Sequence, residues 1–150
     1  EKVSLRYPMA TRPWQHVLEP LSGYLAVGAK LESDAMLASA WNFGPGPTQI
    51  TTVEEVVKKI IDVWGDGASY DVPENAVKHH EAGNLVLDVS KAFNYLGWKQ
   101  VWDLNQTIEN TTKWYKHFLE NSADSLLYTQ KQIKQYEADA ANSKLPWSLA

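Results

Sequence analysis

Polar and apolar side chains alternate at the start of the chain, with Val3, Leu5 and Tyr7 on one side of an extended backbone and Lys2, Ser4 and Arg6 on the other. That period of two predicts a strand. A strand that opens at once, with no cap or leader before it, expects a pairing partner, so a preceding segment that was removed or is encoded elsewhere is anticipated. Pro8 and Pro13 bracket residues 9–12, and residues 14–17 resume an extended course until Pro20 opens a helix, where its missing donor is harmless. Leu21, Tyr24, Leu25, Gly28 and Leu31 follow at helical spacing and predict the helix's inner face, with Glu32, Ser33 and Asp34 as a polar exit. Residues 40–43 form a short apolar run stopped by Gly44-Pro45-Gly46-Pro47, the pattern of a buried strand feeding a stiff loop.

Thr52 and Glu55 have the spacing of a capping box. Val53, Val56, Val57, Ile60, Ile61 and Trp64 then keep one helical face apolar until Gly65 supplies a stop. A strand is expected at 70–72, a polar irregular stretch at 73–83 and another short strand at 85–87. Ser90 caps a brief helix carrying Ala92, Phe93 and Leu96, ended by Gly97. Asp103 and Gln106 open the longest helix, with Leu104, Ile108, Thr111, Trp114 or Tyr115, and Phe118 inward. A last helix is expected from Thr129, with Ile133, Tyr136 and Ala140 inward, and the tail after Ala141 reads as loose. Alternating strands and helices place the chain in the α/β class. The strands are too few and too short for a complete doubly wound sheet, so the chain reads as part of one.

Composition narrows the functional classes. The 150 residues are 44% hydrophobic and 21% charged, which suits one globular domain and excludes a disordered or fibrous chain. The net charge of −4 gives no long-range attraction for phosphate backbones, so no nucleic-acid partner is expected. No apolar run is long enough to span a bilayer and no signal pattern opens the chain, so no membrane partner is expected. Cysteine is absent, which excludes disulfides, thiolate zinc sites and a cysteine nucleophile, and is compatible with the cytoplasm.

Candidate chemistry is sparse. His79, His80 and Glu81 are the one cluster of metal-ligand types, but no third convergent ligand is placed, so no metal site is expected. His16, beside an apolar run, reads as a positioned hydrogen-bonding group rather than a catalytic base. The Gly44-Pro45-Gly46-Pro47-Thr48 loop contains two prolines, which offer a phosphate no N–H. No nucleotide fingerprint or nucleophile elbow occurs, none of the seven tyrosines is expected to have a Tyr-x-x-x-Lys partner, and no catalytic residue is expected in this chain. Tryptophan is abundant, at seven residues. Trp64, Trp98 and Trp114 read as core, whereas Trp14 and Trp41, beside Arg12 and Asn42, have the composition of a pocket wall.

The stretch Ala10-Thr11-Arg12-Pro13-Trp14-Gln15-His16-Val17-Leu18-Glu19-Pro20-Leu21-Ser22-Gly23-Tyr24-Leu25 resembles the start of the substrate-binding half of CDP-glucose 4,6-dehydratases, members of the extended short-chain dehydrogenase/reductase superfamily. Further matches follow in order at Ala40-Trp41-Asn42-Phe43-Gly44-Pro45, Trp64-Gly65-Asp66-Gly67-Ala68-Ser69, His80-Glu81-Ala82, Leu87-Asp88-Val89-Ser90-Lys91-Ala92 and Leu96-Gly97-Trp98. The resemblance implies the C-terminal, substrate-binding portion of an NAD(P)-binding Rossmann-like enzyme, spanning residues 1–150, with the N-terminal NAD-binding half absent from this chain. In the family, NAD held by that half takes a hydride from sugar carbon 4, water leaves across carbons 5 and 6, and the hydride returns to carbon 6.

This chain alone is therefore expected to be inactive and to bind no cofactor. Its expected partners are a CDP-sugar and the N-terminal Rossmann half, with a homo-oligomer possible in the full enzyme. By similarity Arg12 faces the diphosphate, while Trp14, Asn42 and Glu81 lie near the ligand. Gly83, Asn84 and Val86 stand where the family usually carries His, Tyr and Lys, which leaves room for another nucleotide sugar. A stand-alone sugar-binding or protein-interaction domain is the alternative, since it too accounts for the tryptophans.

Overall fold

The computed structural model describes residues 2–46, 49–73 and 83–148. Strand β1 (Lys2–Ser4) pairs in parallel with β4 (Ser69–Asp71), in the register Lys2 to Ser69 and Ser4 to Asp71. Leu5 N–H extends the ladder to the Asp71 carbonyl at 2.9 Å, and the Leu5 side chain is buried. Strand β2 (Thr11–Arg12) pairs antiparallel with β3 (Thr51–Thr52), and Thr11 bridges in parallel to Asn84 on its other side. Helices α1 (Leu18–Leu31), α2 (Val53–Trp64), α3 (Leu104–Glu120) and α4 (Ser125–Asn142) are the longest elements. The chain is thus α/β, with helices and short strands.

Both expected capping boxes form. Glu55 N–H donates to Thr52 Oγ1 at 3.2 Å while Thr52 N–H donates to Glu55 Oε2 at 2.9 Å, and Gly65, at φ 68°, closes α2. Asp103 and Gln106 exchange the same pair of bonds at the head of α3. On α2 only Val56 is fully buried, because one side of the helix lies on α3 and the rest meets solvent. The inner face of α3 is Thr107, Ile108 and Thr112, rotated from the expected one, so that Tyr115 and Phe118 are exposed. Helix α4 begins four residues earlier than expected, at Ser125, and buries Tyr136 and Ala140.

The largest departure concerns α1, which starts at Leu18 with Pro20 inside its first turn. Its buried residues are Glu19, Ser22 and Gly23, and the predicted inner face points outward: Leu21 is 44% exposed, Tyr24 59% and Leu25 74%. Two tertiary demands turn the helix round. The Glu19 carboxylate accepts from Val101 N–H (3.0 Å), Trp102 N–H (2.9 Å) and the Tyr136 hydroxyl (2.8 Å). Gly23 lets the Phe43 ring approach to where a Cβ would sit only 2.3 Å away.

The core joins Leu37, Phe43, Ala92, Leu96 and Trp98, with Val27 and Trp41 packed against it. Residues 40–43 enter it without forming a strand. They are held by side chains instead, with Gln15 Nε2 donating to Phe43 O (2.9 Å) and Lys91 Nζ to Ala40 O (2.8 Å). The strand expected at 85–87 is absent too, and Leu85 and Val86 are exposed. Ala92–Leu96 forms one wide π-helical turn ended by Gly97 at φ 66°, and Asp88, not Ser90, supplies the cap by accepting Ser90 N–H at 2.9 Å. The tail expected to be loose is docked. Leu145 is fully buried and the Trp147 ring stacks on Tyr136, with centroids 5.9 Å apart.

Candidate functional site

Three segments far apart in sequence are laced together around β2. Thr11 N–H donates to Gly83 O (2.8 Å) and Thr11 Oγ1 to Asn84 Oδ1 (3.1 Å), which binds the strand carrying Arg12 to the chain after residue 82. Asn42 Nδ2 donates to Asp88 O at 3.2 Å, so the loop carrying Asn42 is tied to that same segment. The Gln15 bond to Phe43 O completes the circuit. Arg12, Trp14 and Asn42 are therefore carried by strands and loops fastened to one another, an arrangement that sequence spacing alone does not dictate.

Arg12 is half-buried on β2, and its Nη1 donates to Thr11 O at 2.7 Å. That bond engages the tip of the side chain, a planar guanidinium whose donors lie in a fixed fork. Trp14 is half-buried, and its indole N–H is shut off from solvent with no acceptor among the described residues. A buried donor left unpaired costs free energy. Asn42 is exposed. Glu81, with His79 and His80, lies outside the described residues. Trp41, expected in a pocket wall, is instead a brace: its N–H donates to Leu37 O at 2.9 Å and the Lys91 ammonium sits 4.2 Å from its ring centroid.

His16 is buried edge-on against Trp102, with ring centroids 4.7 Å apart. Its Nδ1 accepts from Leu18 N–H at 3.3 Å, which assigns the proton to Nε2. Burial pulls its pKa down to about 4, so the ring is neutral at pH 7 and its role here is positional. A cavity of about 510 Å³ lies beside it, lined among others by Gln15, Trp114, Tyr115 and Gln132. A second, of about 370 Å³, lies between Gly44, Gly46 and Lys99 and Gln100. Gln15 Oε1 and both amide atoms of Gln100 are buried without partners. Sequence reasoning missed these two glutamines, since neither has a periodicity or a motif of its own.

The expectation that no tyrosine carries the Tyr-x-x-x-Lys spacing, by which an ammonium can activate a phenol, is corrected by Tyr95 and Lys99, which have it. The structure does not assemble that pair. Gly97 breaks the helical turn between them, and Tyr95 lies edge-on to Trp41 at 6.4 Å. No hydrogen bond joins the two side chains.

The first amides of α2 donate to Ala10 O, Pro8 O and Thr52 Oγ1, and at the head of α3 Gln106 N–H donates to Asp103 Oδ1; a Cβ at Gly44 would meet Leu87 at 2.9 Å, so this glycine serves packing. No three His, Asp or Glu side chains converge for a metal among the described residues. No helix of the described residues is long and apolar enough to cross a membrane.

No family model matches the chain. Over 137 residues, 91% of its length, the chain is 41% identical to CDP-glucose 4,6-dehydratase of Salmonella typhimurium, of which this covers 38%. It is also 31% identical over 103 residues, 69% of its length, to the bifunctional protein GAL10 of Kluyveromyces lactis, of which this covers 14%. The chain spans well under half the length of either relative. Over 91% of its length the chain is thus similar to one part of a CDP-glucose 4,6-dehydratase.

Proposed function

We infer that this chain is the nucleotide-sugar-binding portion of a CDP-glucose 4,6-dehydratase-like enzyme, a lyase that converts CDP-glucose to CDP-4-keto-6-deoxyglucose with loss of water. The observation that carries this reading is the 41% identity, coupled to the lacing of the Arg12, Trp14 and Asn42 segments around β2. NAD chemistry belongs, as the resemblance implies, to an N-terminal Rossmann half of the longer enzyme. In that assembly Arg12 pairs with the diphosphate, the Trp14 indole N–H donates to a ligand acceptor, and Asn42 and Glu81 stand near the bound nucleotide. The proposed compartment is the cytoplasm, with which a chain free of cysteine is compatible. Residues of this chain bind and orient, and no proton-transfer step is assigned to them.

The test is calorimetric titration of CDP into the chain and its Arg12 variants, with unfolding curves recorded beside them. Arg12→Ala should cost about 1.5–3 kcal/mol of CDP binding through loss of charge-assisted hydrogen bonds. Arg12→Lys should recover part of it, keeping the charge but not the fork. Equal CDP affinities in all three proteins would end the binding role. Lowered folding stability without a specific loss of affinity would make Arg12 a brace for its loop.

A further inference from the structure

The cavity of about 510 Å³ is lined by none of Arg12, Trp14 and Asn42, the described residues read as nucleotide contacts. Two glutamines on its wall are held in the same way. Gln15 Nε2 donates to Phe43 O (2.9 Å) and Gln132 Nε2 to Asn110 O (2.7 Å), so each amide is anchored through its nitrogen and keeps its carbonyl oxygen as a spare acceptor. Gln15 Oε1 is shut off from solvent with no donor among the described residues. His16, on the same wall, accepts Leu18 N–H on Nδ1 and so carries a donor on Nε2. Trp114 supplies an aromatic side. Its indole N–H donates to Thr129 Oγ1 (2.8 Å) and Phe118 stacks on it with centroids 5.3 Å apart, which fixes the ring, and the exposed Tyr115 stands edge-on beside it.

We propose that this cavity binds an uncharged pyranose, as a free sugar or simple glycoside, at a site separate from the nucleotide contacts. The lining decides the class of ligand. No Asp, Glu, Lys or Arg side chain lines the cavity, and His16 is neutral at pH 7. A phosphate or carboxylate would enter without a counter-charge, at a large desolvation cost. The spare glutamine oxygens require donors, while the imidazole N–H requires an acceptor. A hydroxyl is both, so neighbouring hydroxyls of one ring satisfy a glutamine and the histidine together. A few placed polar groups beside an aromatic wall are the makeup of a small-molecule site, and the C–H face of a pyranose lies flat on such a ring. A wholly apolar ligand would leave Gln15 Oε1 buried and unpaired.

Saturation-transfer NMR on the 150-residue chain tests this with methyl α-D-glucopyranoside as the probe. Its binding should saturate. Glucose 1-phosphate, the same ring with a charge, should bind at least roughly tenfold more weakly, and so should cyclohexanol, a ring with a single hydroxyl. Tyr115→Leu removes an exposed ring and should weaken the glycoside roughly threefold. Gln15→Met removes the enclosed acceptor at nearly unchanged length and should weaken it about tenfold. Should that variant not fold, because the bond to Phe43 O goes with it, Gln132→Met removes the second spare acceptor and should weaken the glycoside by a similar factor.

Absence of saturable glycoside binding overturns the proposal, as does undiminished affinity in the variants or equal affinity for cyclohexanol. CDP added to the same samples separates this from the nucleotide reading. Unchanged glycoside affinity beside bound CDP supports a separate site, whereas displacement by CDP overturns it by making the cavity part of the nucleotide site. Glycoside binding by a chain that does not bind CDP removes only the nucleotide reading, and CDP binding without glycoside binding removes only the sugar site.

Discussion

His16 shows how one residue's setting makes folding depend on pH. The folded protein keeps the imidazole neutral down to about pH 4, whereas the unfolded chain takes up its proton near 6.5. Between those values the unfolded state binds more protons, so acidification favours it, and the buried ring costs about 3 kcal/mol of stability by the time pH reaches 4. Glu19 works in the opposite sense. Burial raises its pKa, so its contribution is fullest below the ordinary carboxylate value and is lost as pH rises through the raised one. The two slopes overlap and partly cancel in the wild type. His16→Gln, which cannot titrate, should therefore gain on the wild type by about 3 kcal/mol between pH 7 and pH 4, read as the difference in urea unfolding free energy at each pH. A constant difference across that range would show that His16 is protonated equally in both states. The positional role of His16 was legible from the apolar run beside it, but its proton affinity follows from the Trp102 ring and the α1 head closing over it.

At the scale of elements, the helix starts with local signals came out as expected, and the buried face of the helix governed by distant partners did not. Thr52 with Glu55 and Asp103 with Gln106 act within three residues, so their caps hold whatever the helix packs against. For α1, periodicity picks out the stripe of Leu21, Tyr24 and Leu25, while Phe43 and the amides of Val101 and Trp102 claim the opposite side. Gly23 tests that orientation. Alanine favours a helix over glycine by about 1 kcal/mol, which would stabilise α1 if this position faced water. With the buried Phe43 ring 2.3 Å from the new Cβ, Gly23→Ala should instead destabilise the protein by about 1–3 kcal/mol through overpacking. A raised unfolding midpoint would mean that α1 is turned the other way. The short strands expected at 40–43 and 85–87 fail for a related reason: an apolar run predicts burial or extension, but a strand exists only where a neighbour offers a free edge.

On the scale of the whole molecule, the ends of the chain tie the helical layers together. Leu145 is buried to 1% exposure, Pro146 Cγ would lie 3.0 Å from a Cβ at Gly97, and Trp147 stacks on Tyr136, whose hydroxyl reaches Glu19 on α1. The C-terminal segment thus closes a connection from α4 to α1 and to the turn after Leu96. Leu145→Ala should cost about 2–5 kcal/mol, as expected for a fully buried leucine whose surroundings cannot collapse. Chemical denaturation followed by tryptophan fluorescence reads this out, and an unchanged midpoint would restore the loose tail that its composition suggests.

The sequence by itself determined the α/β class, the capping boxes of two helices, the stop at Gly97, and kinship to the CDP-glucose 4,6-dehydratases. All of these are encoded within a few residues or in ordered runs of motif, where local geometry or shared descent suffices. Tertiary structure alone decided which side of α1 is buried, that residues 38–46 are pinned by Gln15 and Lys91 without a strand, and that Arg12, Trp14 and Asn42 ride on segments fastened to each other. Those outcomes rest on partners dozens of residues away. A carboxylate that finds two amides across the core, or a ring that needs a glycine to lie against, outweighs the local preference of a helix for burying its leucines.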